Sequence, residues 1–338
     1  MANDPITLDT PTLKDAIGLG VAGNFAGHLE QAGEAGDFVG VEAEAGAPKG
    51  VFPFYVPGLT EKSATGDPPH PLSVFPISSS QTVLPAPGLP GLKVNDPENI
   101  SDLSKASAGG GNEDKSSDSN SGGGGGGFQV EPEIGLWCRL IYEEQGDQRV
   151  VKAIEPVSFG AFNDCSHRRP GASKISQKKN WGPGSKGFAT DQLIPIDRFT
   201  SGGVMDHYRL ASFLKRGQEL IAYGEDSSVA GYGYMYEQLL DWLVDKLNHQ
   251  PDAGPLESIA AHLKSAGYPP QAVIAIGATR YTDFGESHRL EPGEVSYVVA
   301  YDHRKHDLKT VQEFLLTDPQ QTSIEGISML RQEAVAQG

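Results

Sequence analysis

Residues 128–142 read FQVEPEIGLWCRLIY, and the alternation inside this stretch decides the fold class. Taken two at a time, Val130, Ile134, Leu136, Cys138, Leu140 and Tyr142 share one face, while Glu131, Glu133, Gly135, Trp137 and Arg139 share the other. Successive side chains of a strand point to opposite sides of a sheet, so this is a strand with an apolar side and a chemical side. A later strand, SFGAFND, ends in Asn163 and Asp164. Further on, QAVIAIGATR reads as a buried strand running into a glycine turn, and EVSYVVAYDH alternates as a half-exposed strand. Helical spacing marks residues 24–32, 232–248 with Met235, Leu239, Trp242 and Leu247, and 255–266 with Leu256, Ile259 and Leu263 before the stop at Gly267. With 42 Gly and 24 Pro, the two types make up about a fifth of the chain against a usual level near 12%, which favours short strands and many turns. The expected class is α+β with a substantial β core.

The chain has 338 residues, enough for one large domain or two small ones. Its composition divides it into an N-terminal region, 1–97, with Pro-punctuated pieces such as GVFPFYVPG; a Gly/Ser-rich insertion, 98–127; a β core, 128–306; and a C-terminal extension, 307–338, whose KTVQEFLLTD is amphipathic enough to pack. The insertion has almost no apolar residue to offset its ordering entropy and is expected to be disordered. A formal net charge of -17 repels phosphate backbones and anionic lipids, so neither nucleic acid nor a membrane is an expected partner. Two cysteines are too few for a disulfide framework, and the opening MANDPITLDT has neither a basic start nor an apolar stretch. A reduced, cytoplasmic protein is the expectation.

Three constellations invite chemistry. Gly18-Leu19-Gly20-Val21-Ala22-Gly23 has the spacing of a dinucleotide-binding turn and Glu42 follows it, but only Ala16-Ile17 is left for the preceding strand and regular strand-helix alternation never develops. Glu131 and Glu133 leave the same strand face, and with Asp164 would form a set of hard oxygen ligands for Mg²⁺, Mn²⁺ or Ca²⁺; acids on an exposed strand face are otherwise simply solvated. The stretch 165–190 has no acidic residue but holds Arg168, Arg169, Lys174, Lys178, Lys179 and Lys186, a cationic loop suited to an anionic ligand beside a metal, or else merely a solvated one. His167, in the same loop, reads as a surface residue.

The ordered blocks NFAGHLEQAG, PKGVFPFYVPG, VEPEIGLWCRL, SFGAFNDCSHRR, WGPGSKGFA, AIGATR and RLEPGEVSYVVAYD resemble those of the fumarylacetoacetate hydrolase family over roughly residues 17–302. The resemblance implies a fumarylacetoacetase-like mixed β-roll or sandwich with a short N-terminal lid helix, and a homodimer. It implies Glu131, Glu133 and Asp164 as metal ligands, with Mg²⁺ or Mn²⁺ as the ion and Ca²⁺ as an alternative. It further implies His28, Lys186 and Arg168 as catalytic residues, and Asn24, Asn163 and Thr279 as substrate-binding residues.

The departures lie at the expected pocket. Where hydrolytic members place a glutamate three residues after the histidine, this chain has Gln31, and Glu30 lies about 100° around the helix. Arg169, Gly171 and Arg280 also depart from the usual residues. The leading expectation is a divalent-metal-dependent enzyme acting on a small anionic keto acid or 1,3-dicarbonyl compound, by hydrolysis of a carbon–carbon bond, decarboxylation or tautomerisation through a metal-bound enolate. The alternatives are a catalytically silent metal- or metabolite-binding relative, and a nicotinamide-binding protein built on the glycine turn.

Overall fold

The computed structural model describes residues 5–41, 43–44, 46–59, 70–79, 82–85, 127–168 and 171–335. Apart from Gly127, the insertion at 98–127 lies outside the described residues, as do Glu42 and Arg169. In chain order, β1 (Ile17–Ala22), β2 (Gly50–Tyr55), β3 (Ile77–Ser78), β4 (Thr82–Pro85) and β5 (Phe128–Gln129) precede a long hairpin of β6 (Pro132–Gln145) and β7 (Gln148–Asn163). Then come β8 (Ser166–His167), β9 (Lys186–Phe188), β10 (Ile194–Pro195), β11 (Tyr208–Arg216), β12 (Glu219–Ser228), β13 (Gln271–Ala275), β14 (Val295–Asp302) and β15 (Ile327–Val335).

One mixed sheet runs β2-β1-β13-β6-β7-β9-β3 with β10 also on β7, and a second runs β12-β11-β14-β15-β4. Their inner faces share one core in which Leu136 and Phe159 meet Leu210, Leu214, Val298 and Leu330. The helices Tyr236–His249 and Ile259–Ser265 extend that core through Leu239, Leu243, Leu247, Ile259 and Leu263. This is the α+β architecture that the alternation implies, with packing helices at the periods read from the sequence. The faces of β6 sort as expected: Val130, Ile134, Leu136, Cys138 and Leu140 enter the inter-sheet core. Trp137 enters a separate cluster with Phe54, Phe162 and Phe188.

Three local expectations change. β14 is buried along its whole length rather than half-exposed. It is central in its sheet, between β11 and β15, and the helix Leu308–Leu316 covers its outer face by packing Val311 and Leu315 on Tyr297, Val299 and Tyr301. The segment set apart as an extension thus supplies that helix and β15. The helix expected over 24–32 is shortened to His28–Gln31, entered from Gly27 at φ +83°. Finally, Gly18 and Gly20 lie within β1 itself and not in a strand-to-helix turn. A Cβ on Gly18 would stand 2.1 Å from the Phe54 ring and one on Gly20 2.2 Å from Phe52. The glycines admit two aromatic rings from β2, and the geometry of a dinucleotide turn is missing.

Candidate metal centre

The hairpin brings the three acids together. Its register pairs Pro132 with Asn163, so Glu131, before β6, stands beside Asp164, after β7. The Asp164 N–H donates to the Glu131 carbonyl at 3.0 Å. The Glu131 N–H donates to Asn163 Oδ1 at 3.1 Å, and the Asn163 amide donates to Gln332 Oε1 at 2.7 Å, which ties the hairpin end to the second sheet. One carboxylate oxygen each from Glu131, Glu133 and Asp164 lie within 4.8 Å of one another, and all three residues are buried. The Gly277 N–H donates to Glu133 Oε2 at 2.8 Å. Gly277 has φ +118°, and a Cβ there would lie 2.9 Å from that of Asn24, so glycine is what lets this amide approach.

Cations from the 165–190 loop close on these acids. Lys179 Nζ lies 2.6 Å from Glu131 Oε2 and 2.6 Å from Asp164 Oδ2. Lys186 Nζ lies 3.0 Å from Asp164 Oδ1 and donates to the Cys165 carbonyl at 2.6 Å. Arg168 donates to Glu131 Oε1 at 2.6 Å, Glu34 Oε1 at 2.5 Å, Gln129 Oε1 at 2.7 Å and the Tyr281 hydroxyl at 3.2 Å. The loop's positive charge therefore faces this chain's own acids, with Lys178 on Asp37 and Lys174 on Asp252 completing the pattern. Among the described residues these cations are paired with acids of this chain, as expected where unpaired buried charge is costly.

Burial alone would raise the Glu131 carboxyl, but Lys179 and Arg168 overcome it and hold the group well below the usual carboxylate range. Glu133 behaves oppositely: burial and then the charge of Asp164 push it well above 4.5. Among the described residues Glu133 has no ion-pair partner, which is why burial prevails there. Lys179 is held above its ordinary value, burial being outweighed by Asp164 and Glu131. Burial lowers Lys186, with Asp164 opposing.

The lid histidine is fixed by backbone. His28 Nδ1 lies 2.9 Å from the Thr279 carbonyl. A carbonyl only accepts, so Nδ1 carries the proton and Nε2 keeps its lone pair. Burial lowers the His28 pKa. The partner of Nδ1 is thus the Thr279 carbonyl and not a carboxylate. Gln31 instead clamps the lid, donating to the Tyr281 carbonyl at 3.1 Å and accepting the Tyr281 N–H at 2.9 Å. His28, Glu34, Phe38, Phe52, Glu131, Glu133, Asp164 and Lys179 are among the residues around a cavity of about 20 Å³, the room of roughly one water.

Of the residues expected at the site, His28, Lys186, Arg168, Glu131, Glu133 and Asp164 gather around this centre. Asn163 holds the Glu131 backbone, and Asn24 and Thr279 adjoin the centre with their side chains bonded to backbone groups. Asn24 Nδ2 donates to the Ile276 and Tyr234 carbonyls and its Oδ1 accepts the Tyr234 N–H; Thr279 Oγ1 donates to the Pro132 carbonyl. Two participants escaped the sequence reading. Lys179 was visible only as one of several loop cations, and Glu34 only as an acid about one turn beyond Gln31.

Three hard carboxylates fit a divalent ion by donor chemistry. Both oxygens of the fully buried Asp164 touch ammonium groups, Oδ2 that of Lys179 at 2.6 Å and Oδ1 that of Lys186 at 3.0 Å, so the chain's own cations stand where an ion would be held.

Residues 123–334 match the model of a family of unknown function, DUF5718. No curated protein matches the chain. Solved structures similar to it include 5-carboxymethyl-2-hydroxymuconate delta-isomerase from Mycobacterium smegmatis, at 11% identity over 99% of this chain and 83% of that one, TM-score 0.45. They include 2-keto-3-deoxy-D-arabinonate dehydratase complexed with magnesium and 2,5-dioxopentanoate, at 9% over 98% and 82%, TM-score 0.45. A fumarylacetoacetate hydrolase family protein of yeast is similar at 10% over 97% and 96%, TM-score 0.43. These likenesses are distant, and the site's chemistry has to follow from its own residues.

Proposed function

We propose for this chain, which belongs to DUF5718, a family of unknown function, the role of a divalent-metal-dependent enzyme acting on a small anionic keto acid or 1,3-dicarbonyl compound. The observation that carries this reading is the buried convergence of Glu131, Glu133 and Asp164 within 4.8 Å. An Mg²⁺ or Mn²⁺ ion held by these oxygens would supply Lewis-acid charge beside the oxo groups of a substrate.

The chain's own residues do the rest. Lys186, buried beside Asp164, would hold that carboxylate in place and add positive charge behind the site as an oxyanion develops on the substrate. His28 Nε2 is free to take or return a proton, and the lowered pKa keeps it unprotonated at neutral pH. Arg168 holds Glu131 in place and, through Glu34, ties the segment after the His28–Gln31 helix to the acids.

Calorimetric titration with Mn²⁺ on wild type and Glu133→Ala, followed by a screen of oxaloacetate and acylpyruvates, tests this. Saturable binding in wild type, its loss in the variant and metal-dependent consumption of one of these compounds are expected. Wild-type affinity retained in Glu133→Ala refutes it. A second reading, a relative that binds metal and metabolite without turnover, draws support from the cavity of only about 20 Å³. Binding of Mn²⁺ and oxalate with no compound consumed selects that one.

A further inference from the structure

The cation-binding position is already taken by part of the chain. Lys179 ends the short helix Ser176–Lys179, and its side chain is 4% exposed. Its ammonium reaches two of the three carboxylates at 2.6 Å each and lies 5.1 Å from the centre of the Phe52 ring, so it is both paired and walled in. All four oxygens of Glu131 and Asp164 touch a cation, Arg168 and Lys186 holding one each and Lys179 alone bridging the two carboxylates; a divalent ion bridging the same pair would stand against its ammonium with strong repulsion. Space gives the same answer, since the adjoining cavity of about 20 Å³ has no room for an ion with its substrate.

The paired charges are also already matched. Glu34, Glu131 and Asp164 meet Arg168, Lys179 and Lys186, with Lys178 set against Asp37, while Glu133 has no ion-pair partner among the described residues. A divalent ion added to that set leaves positive charge in excess unless a cation leaves or an anion enters.

Resting on the metal reading above, we infer that Lys179 is a tethered cation that occupies the divalent ion's place and must withdraw for the ion to enter. Withdrawn, its ammonium becomes available to a carboxylate of the anionic substrate. Metal and substrate would then load together, Lys179 leaving the two carboxylates as its ammonium turns to the substrate. Lys179 is in this sense a gate on metal occupancy, distinct from Lys186, which touches Asp164 from the other oxygen and does not contact Glu131 in the same way.

The test is Mn²⁺ affinity, by calorimetry or by the free-ion electron paramagnetic resonance signal, for wild type, Lys179→Met and Lys179→Gln. Both variants should bind roughly 10–100-fold more tightly than wild type, the range over which groups around metal ligands change affinity. Binding that is unchanged or weaker overturns the inference while the metal site stands. If neither wild type nor the variants bind, the metal reading itself has failed, and the inference with it. If the variants do not fold, wild type decides the matter through reductive methylation mapped by mass spectrometry. Lys179 should be protected without metal and become reactive with saturating Mn²⁺; protection that persists in the metal-saturated protein overturns the inference.

Discussion

Replacing Arg168 by Met tests how far one guanidinium holds the lid and the acids together. The side chain is 8% exposed and bonds Glu34, Glu131, Gln129 and Tyr281. Breaking a buried ion pair by removing one partner typically costs about 3–5 kcal/mol, because a charge is left uncompensated. Here Glu131 would keep Lys179 at 2.6 Å and Glu34 would keep Lys178 at 3.5 Å. The loss should therefore sit near the low end, about 3 kcal/mol. With an unfolding entropy of about 2 cal/mol/K per residue, that is a fall in melting temperature of roughly 4–6 °C for a chain of this size. Urea or thermal unfolding of Arg168→Met, Glu34→Gln and the double variant measures it. Since Glu34→Gln removes the charge that Arg168→Met strands, the double variant should lose less than the sum, with a coupling of about 1–3 kcal/mol. Hydrogen exchange should also quicken over residues 28–38. A loss below about 1 kcal/mol, or additivity within about 0.5 kcal/mol, would refute this account of the lid.

The remaining predictions concern the acids, the histidine and the glycine strand. Burial and Asp164 hold Glu133 above 4.5, so the folded chain keeps a proton that the unfolded chain releases, and stability is lost as pH rises past that value. Metal-free Glu133→Gln should therefore remove this decline and be as stable as wild type or more so at neutral pH; a marked fall in its melting temperature there would contradict the assignment. Burial holds His28 below 6.5, so the unfolded chain binds the extra proton and stability falls as pH drops through about 6.5. Urea melts of His28→Asn over that range should show a shallower decline than wild type, and an identical slope would exclude His28 as a source. Gly20→Ala places a Cβ 2.2 Å from the Phe52 ring and should cost about 1–3 kcal/mol, partly restored in Gly20→Ala/Phe52→Leu. Absence of rescue in thermal melts would show that the ring is not what requires the glycine.

Alternation in a strand is a local property, and for that reason the two faces of residues 128–142, the shared side of Glu131 and Glu133 and the apolar stripes of the helices Tyr236–His249 and Ile259–Ser265 were legible from the chain alone. The same locality explains the errors. β14 has the pattern of a half-exposed strand, but a helix that packs on its outer face buries it throughout. Gly18 and Gly20 have dinucleotide spacing, and only the neighbouring β2 shows that they admit aromatic rings.

By itself, the sequence determined which side chains leave the chemical face and that a basic stretch follows the acids. Tertiary structure decided which charge meets which: Lys179 with Glu131, 48 residues apart; Arg168 with Glu34, 134 apart; and His28 with the Thr279 carbonyl, 251 apart. Covalent geometry sets a residue's direction along its own strand, but pairing across such separations depends on how the sheets and lid close, and a buried charge settles on whatever partner that closure brings within reach.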